Sequence, residues 1–152
     1  MKKTVVSSVI LAVLLSLSIY ALEWETNFET ALSLAKKTGK YILMDFSGSD
    51  WCGWCIKLDK EVFSQEDFKQ FAEKNLVCVL VDFPNEKPQT KEVIEQNKRL
   101  ADKYKIKGYP TIIILDPEGE FAGQTGYQKG GAKKYTEHLK EIIERYKKRT
   151  KI

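Results

Sequence analysis

Three short apolar runs divide this chain into alternating segments of predicted strand and helix. They occupy residues 41–46, 76–81 and 111–115, and runs of this length that are rich in Val, Ile and Leu are typical of buried strands. Apolar residues recur three and four positions apart in the intervening segments, as on one face of a helix. These helical patterns cover residues 28–35, 52–62, 68–72, 93–104 and 131–146. Strands that alternate with helices predict an α/β fold.

The last third of the chain departs from this alternation. The stretch Asp116-Pro117-Glu118-Gly119 favours a type I turn, so residues 120–124 are expected to return antiparallel to residues 111–115. We therefore expect a central mixed sheet, parallel in its first strands, with a C-terminal antiparallel hairpin and helices on both faces. Ser64 and Asp67 have the spacing of a capping box, which predicts a helix that Ser64 caps.

The first residues have the pattern of a secretory leader. Two lysines precede a run without charge, residues 4–22, and small residues near its end allow cleavage after Ser18 or after Ala21. We expect residues 1–21 to be a signal peptide and residues 22–152 to form one domain. The alternative is a retained membrane anchor, because the run is long enough to span a bilayer. In either case the domain is expected in the periplasm or outside the cell.

The charge balance argues against nucleic-acid binding. The chain has 25 Lys and Arg against 21 Asp and Glu, a net charge of +4. Two of the basic side chains belong to the predicted leader, so the excess in the remaining domain is smaller still. A surface that binds nucleic acid through charge needs a denser basic patch, and we therefore expect no nucleic-acid partner.

Two of the three cysteines lie in the stretch Asp50-Trp51-Cys52-Gly53-Trp54-Cys55. A disulfide across so small a loop removes little entropy from the unfolded chain and would stabilise the fold poorly. A zinc site needs about four ligands, and the remaining candidates are Cys78, within an apolar strand, and His138, on the last helix. We therefore expect Cys78 to be a buried apolar residue, His138 to be a surface side chain and no metal to bind. The pair is best explained as a redox-active disulfide, with no other cofactor.

The two cysteines are expected to differ in environment, because the predicted helix begins at or beside Cys52. The unpaired N–H groups and the dipole at the helix N-terminus favour a thiolate on Cys52. Cys55 lies one turn further on, on the apolar side with Leu58 and Val62, where burial keeps a thiol neutral. We expect Cys52 to be the nucleophile and Cys55 to be the resolving thiol, which attacks after a mixed disulfide has formed.

These residues carry a family resemblance. Trp51-Cys52-Gly53-Trp54-Cys55 resembles the W-C-x-x-C active site of the thioredoxin superfamily, and Gly108-Tyr109-Pro110-Thr111 resembles its G-x-P-T segment, in which the proline is cis. The resemblance spans residues 23–147 and implies a thioredoxin-like fold, with the cis-proline loop beside the cysteine pair. Packing alone for Trp51, and a plain proline at a strand start for Pro110, are the alternatives. On this basis we expect substrate to bind at Trp51, Gly53, Trp54, Tyr109 and Pro110.

The family also has a buried acid on the strand before the cysteines, which helps to move the proton of the resolving thiol. Asp45, seven positions before Cys52, looks like its counterpart. The spacing is one residue longer than in the family, and residues 76–81 contain no lysine to accompany the acid. We expect Asp45 to accept the proton of Cys55, and the alternative is a solvated loop acid.

The direction of electron transfer depends on how strongly the protein stabilises the thiolate. No Lys, Arg or His lies between Phe46 and Ile56, and Asp50 adds a negative charge. A weakly stabilised thiolate favours a reducing couple, so we expect a reductase of protein or peptide disulfides. The resemblance implies a membrane-embedded electron donor as its partner. The alternatives are a disulfide-forming oxidase or isomerase, a peptide-binding or chaperone module without redox turnover, and a metal carrier.

Overall fold

The computed structural model describes residues 22–151, and the predicted signal peptide lies outside this range. The strands are β1 (Trp24–Glu25), β2 (Tyr41–Ser47), β3 (Leu76–Asp82), β4 (Thr111–Leu115) and β5 (Phe121–Thr125). The α-helices are α1 (Phe28–Thr38), α2 (Gly53–Leu58), α3 (Glu66–Asn75), α4 (Lys91–Lys103) and α5 (Gly131–Thr150). A π-helical turn, Asp59–Phe63, continues α2. Within residues 22–151, no helix is both long and apolar enough to cross a membrane.

The five strands form one mixed sheet in the order β1-β3-β2-β4-β5. Strand β3 pairs in parallel with both β1 and β2, whereas β4 is antiparallel to β2 and β5 is antiparallel to β4. This confirms the predicted mixed sheet with a C-terminal hairpin. Strand β1 was not predicted, because two residues are too short to show a periodic pattern.

The ends of α1 show how closely local sequence controls the elements. Asn27 accepts a hydrogen bond from the N–H of Thr30 at 2.9 Å, which satisfies one of the free donors of the first turn. Gly39 ends the helix with φ of 70° and donates its N–H to Ala35 at 2.8 Å. A positive φ is readily adopted by glycine, which has no Cβ. Both predicted ends of this helix are confirmed.

Helices cover both faces of the sheet, and β2 is therefore buried on both sides. Successive side chains of a strand point to opposite faces. Leu43 packs with α3 and α5, while Ile42 and Met44 pack with α1 and α4. Asp45 lies two residues after Leu43 and so belongs to the face that α2 and the π-helical turn also cover.

Two local predictions are wrong. Ser64 does not cap α3, since the N-cap is Gln65 and the Ser64 hydroxyl donates instead to Asp59 at 3.2 Å. The π-helical turn draws Ser64 back toward the preceding helix, which sequence spacing does not reveal. His138 is not a free surface side chain, because it is half-buried and its Nε2 lies 2.9 Å from the hydroxyl of Thr125.

Candidate active site

Cys52 and Cys55 form a disulfide at the start of α2. Cys52 is the N-cap residue, and its Sγ accepts the N–H of Cys55 at 3.2 Å. Its own N–H donates to the carbonyl of Gly48 at 2.8 Å, which fixes the loop before the helix. Cys52 is 7% exposed and Cys55 is 4% exposed. The helix therefore begins where the sequence predicted, with the Cys52 sulfur against the N–H of Cys55 in the first turn.

An aromatic cluster lies against the segment that carries the cysteines. The indole N–H of Trp51 donates to the carbonyl of Phe83 at 2.7 Å. The Trp51 and Tyr109 ring centroids are 5.8 Å apart, and those of Phe83 and Tyr109 are 5.4 Å apart. The peptide bond between Tyr109 and Pro110 is cis. The cis-proline loop thus packs beside the cysteine segment, as the family resemblance implied.

A second aromatic cluster contains the other tryptophan. Trp54 is 54% exposed, and its ring centroid lies 5.1 Å from that of Tyr127. The ammonium of Lys57 lies over both rings, at 5.1 and 5.3 Å from their centroids. The Tyr127 hydroxyl donates to Glu61 at 2.6 Å, which fixes its ring. The cluster presents an apolar surface next to the disulfide.

Gly53 is the first residue of α2 and is exposed. A Cβ added to Gly53 would meet no atom within 4 Å. Packing therefore does not require a glycine at this position. The surface at Gly53, between the two cysteines, is open to solvent.

The polar connection before α4 (residues 83–90) is tied to the loop that precedes the disulfide. The carboxylate of Asp50 accepts the N–H groups of Asn85, Glu86 and Lys87 at 2.9, 2.8 and 3.2 Å. These bonds favour the charged form and lower the pKa of Asp50. The connection is therefore a fixed part of the site, which the sequence did not indicate.

A cavity of about 340 Å³ lies beside Cys55, and we call it the Asp45 cavity. It brings together residues from β1, β2, β3, α2, the π-helical turn and the two loops. Lys87 enters it from the polar connection, with its ammonium 2.9 Å from the hydroxyl of Ser49. A lysine is therefore present near the buried acid, although it does not come from β3. The cavity is lined by Trp24, Asp45, Ser47, Ser49, Cys55, Ile56, Asp59, Phe63, Leu80 and Lys87.

Asp45 is a buried acid in this cavity. It is 6% exposed, and its Oδ1 has no hydrogen-bond partner among the described residues. Burial, followed by the charges of Asp59 and Asp82, raises the pKa of Asp45 to about 8. The carboxyl of the oxidised protein is therefore largely protonated at neutral pH. This burial excludes the alternative of a solvated loop acid.

Cys78 lies within β3 and is 1% exposed. Burial raises the pKa of its thiol far above the ordinary value, so it stays neutral and packs as an apolar side chain, as predicted. Within the described part of the chain, no group of three or more His, Cys, Asp or Glu is placed to hold a metal ion.

Sequence reasoning missed several residues of the site. Phe83 and Tyr127 complete the two aromatic clusters, and Lys87 and Asp59 complete the cavity. Asp59 had a detectable signal, since it follows Cys55 by four positions and so lies on the same side of the helix. The other three come from distant segments and carry no local signal.

Cys52 and Cys55 are three residues apart and form a disulfide at the start of a helix that packs on a sheet of strand order β1-β3-β2-β4-β5. This combination defines a class of protein. Such a pair exchanges dithiol for disulfide without any further cofactor. The fold and the site therefore define a thioredoxin-like thiol–disulfide oxidoreductase.

Comparison with known proteins gives the same result. A family model described as a thioredoxin-like domain matches residues 28–143. The disulfide bond reductase DsbH of Chlamydia pneumoniae is 37% identical over 122 residues, which cover 80% of this chain and 73% of that protein. A solved structure of a DsbH oxidoreductase has 36% identity and a TM-score of 0.77, covering 81% of this chain and 85% of that one. The chain belongs to the thioredoxin-like family.

A second relative is longer than this chain. The thioredoxin-related protein DsbJ of Chlamydia pneumoniae is 34% identical over 140 residues. The match covers 80% of this chain but 40% of DsbJ. The likeness to DsbJ therefore concerns one part of that protein.

Proposed function

We propose that this protein reduces disulfide bonds of other proteins or peptides outside the cytoplasm. The observation that carries the proposal is the contrast between the two sulfurs. Cys52 Sγ accepts an N–H at the start of α2, whereas Cys55 lines a cavity with the buried Asp45. Cys52 is then the nucleophile, Cys55 the resolving thiol, and Asp45 the group that holds the proton of Cys55.

The reaction proceeds in two exchange steps. The Cys52 thiolate attacks one sulfur of the substrate disulfide, forms a mixed disulfide and releases the other sulfur as a thiolate that takes up a proton. Cys55 then gives its proton to the Asp45 carboxylate and attacks Cys52 Sγ. The second substrate thiolate leaves and is protonated. Two electrons pass to the substrate, and the protein is left with the Cys52–Cys55 disulfide.

The proposed direction of electron transfer rests on charge. The N–H of Cys55 at the start of α2 favours the Cys52 thiolate, but no Lys, Arg or His lies between Phe46 and Ile56, and Asp50 adds a negative charge on the preceding loop. Because the Cys52 thiolate is only weakly stabilised, the dithiol form is disfavoured relative to the disulfide, and the couple is reducing. The name of the DsbH relative, a disulfide bond reductase, points the same way.

Equilibration with glutathione buffers tests the direction. We expect a reduction potential close to that of thioredoxin, about −270 mV. A value near that of the strong oxidant DsbA, about −120 mV, would contradict the proposed direction and favour the oxidase alternative.

The two aromatic clusters are proposed to bind substrate on either side of the disulfide. Trp51 and Tyr109 lie with the cis Pro110 on one side, and Trp54 lies with Tyr127 on the other. The open position at Gly53 lets an extended chain pass over the sulfurs, and the backbone at Pro110 can pair with it as an added strand. Such a site accepts a peptide segment that carries apolar residues next to its cysteine.

Three single substitutions test the redox mechanism. We expect Cys52→Ser to abolish reduction of a disulfide peptide and Cys55→Ser to accumulate the mixed disulfide. Cys78→Ala is the matched control, because this buried cysteine lies outside the proposed chemistry and the variant should retain turnover. If Cys52→Ser kept full activity on a client protein, the non-redox binding alternative would replace this proposal.

The electron donor is proposed to be a membrane-embedded relay that reduces the Cys52–Cys55 disulfide from inside the cell. Labelling of whole cells with a thiol reagent that does not cross the inner membrane tests the location. Reaction of Cys52 in intact cells supports the proposal, whereas reaction only after lysis contradicts it.

A further inference from the structure

The Asp45 cavity holds a carboxylate that the mechanism above does not use. Asp59 lines the cavity together with Asp45 and Cys55. Unlike Asp45, it is exposed to solvent. The cavity has a volume of about 340 Å³, and serine, lysine and carboxylate groups line it, so it is both large and polar enough for water.

Asp45 faces a difficulty that this second carboxylate can solve. Because its pKa is raised to about 8, the Asp45 carboxyl binds a proton at neutral pH and cannot accept another. It must lose that proton before it can act as the base for Cys55. A side chain that is 6% exposed has little direct contact with solvent. Proton exchange between Asp45 and solvent is therefore expected to pass through the cavity that Asp45 lines.

The position of Asp59 fits this task. It lies one helical turn after Cys55, on the same side, and opens the π-helical turn. The N–H of Ser64 donates to the Asp59 carbonyl at 2.8 Å, and the Ser64 hydroxyl donates to its carboxylate at 3.2 Å. The first bond holds the backbone of the turn, and the second orients the exposed carboxylate of Asp59. Turns of this type are frequent at functional sites.

The other titratable groups near Asp45 do not fit as well. Both carboxylate oxygens of Asp82 accept hydrogen bonds from Ser49, at 2.9 and 2.6 Å. The ammonium of Lys87 donates to Ser49. Cys78 and Tyr135 have pKa values raised by burial and stay neutral. Asp59 is the carboxylate that reaches both solvent and the cavity.

We propose that Asp59 carries protons between solvent and Asp45. The step conserves charge: the Asp45 carboxyl gives its proton to the Asp59 carboxylate, directly or through water, and Asp59 passes it to solvent. The inference rests on the proposed function, since it concerns the proton of Cys55. Asp59 acts through Asp45 and contacts neither substrate nor sulfur in this scheme.

Single-turnover kinetics of the reduced protein with a disulfide peptide test the proposal. Formation of the mixed disulfide reports on Cys52, and its resolution reports on Cys55. We expect Asp59→Asn to leave the first phase unchanged and to slow the second about tenfold at pH 7. The second phase should then accelerate as imidazole is added at constant pH and ionic strength, because the buffer replaces the lost carrier. Asp59→Glu should restore the parent rate.

Asp82→Asn is the control for charge alone. This substitution removes a carboxylate that, like Asp59, raises the pKa of Asp45. It should therefore shift the pH profile of the second phase, but the rate of that phase should not depend on the imidazole concentration. The proposal is overturned if the second phase of Asp59→Asn has the parent's rate, or if this phase slows and does not respond to imidazole. This conclusion holds whether or not Asp82→Asn folds. Failure of Cys55→Ser to trap the mixed disulfide would instead count against the proposed function.

Discussion

Two aspartates five residues apart, Asp45 and Asp50, have opposite environments in this protein. Asp45 lies on the buried side of the disulfide, and its pKa is raised to about 8 because burial disfavours its charge. Asp50 lies on the loop before Cys52, and its pKa is lowered because three backbone N–H groups bind its charge. The same type of side chain thus has a raised pKa in one region and a lowered pKa in the other.

The difference teaches that the two regions have separate tasks. The buried region holds an acid whose pKa is raised to about 8, and it leaves Asp45 Oδ1 without a partner among the described residues. The loop region holds groups that do not change, and its hydrogen bonds fix the connection of residues 83–90 beside Trp51. One part of the site therefore contains the buried titratable acid, and another part fixes the shape of the loops.

The largest expected effect comes from removing the buried charge. The folded-state pKa of Asp45 lies above its unfolded value, so stability is lost as pH rises from about 4 to about 8. Asp45→Asn should therefore stabilise the oxidised protein at pH 9 by about 3 kcal/mol, less than the full linkage because a buried amide also has a cost. Urea denaturation at pH 5, 7 and 9 measures this, and parallel curves for parent and variant would contradict the raised pKa.

Gly48 tests the packing of the loop region. A Cβ at this position would overlap the indole of Trp51, so Gly48→Ala should displace that ring and lower the free energy of unfolding by about 1–3 kcal/mol. Gly53→Ala is the matched control, since its Cβ meets no neighbour, and it should change stability by less than about 1 kcal/mol. Equal losses in both variants would show that the Trp51 contact is not the cause.

Asp50 provides the opposite pH dependence to Asp45. Its pKa is lower in the folded protein, so the stability that it contributes is present at neutral pH and is lost as pH falls through the folded-state pKa. We expect Asp50→Asn to lower Tm at pH 7 by about 2–4 °C, and the gap to the parent should close in acid. If the difference in Tm between the parent and Asp50→Asn widened in acid, the lowered pKa of Asp50 would be contradicted. Thermal melts from pH 2 to pH 7 provide the measurement.

Trp51→Phe should have the smallest effect. The variant keeps an aromatic ring near Tyr109 but loses the N–H that donates to Phe83. We expect a loss of about 0.5–1 kcal/mol in the free energy of unfolding and faster hydrogen exchange at residues 85–87. Unchanged exchange there would mean that Asp50 alone holds the connection.

Much of the fold was predictable because the signals are local. The Asn27 cap and the Gly39 end of α1 depend on hydrogen bonds within a few residues, and the strands follow from runs of apolar side chains. Strand β1 was missed because its two residues acquire their role from pairing with β3, as Trp24 does opposite Cys78. The capping-box prediction at Ser64 failed because a π-helical turn changed the register of the chain.

The site divides in the same way. The spacing of Cys52 and Cys55 and the helix start between them could be predicted, and both are confirmed. Lys87, Phe83 and Tyr127 could not be predicted, since they reach the site from segments about 30 to 70 residues away in sequence. Asp59 lies four residues from Cys55 and could have been found from that spacing.

The sequence by itself determined which sulfur caps the helix, because that depends on a few adjacent residues and their backbone hydrogen bonds. The tertiary structure decided which aspartate is protonated at neutral pH. Burial and the field of neighbouring charges depend on groups that only folding brings together, so Asp45 and Asp50 cannot be distinguished by residue type. Their different pKa values are a property of the folded protein.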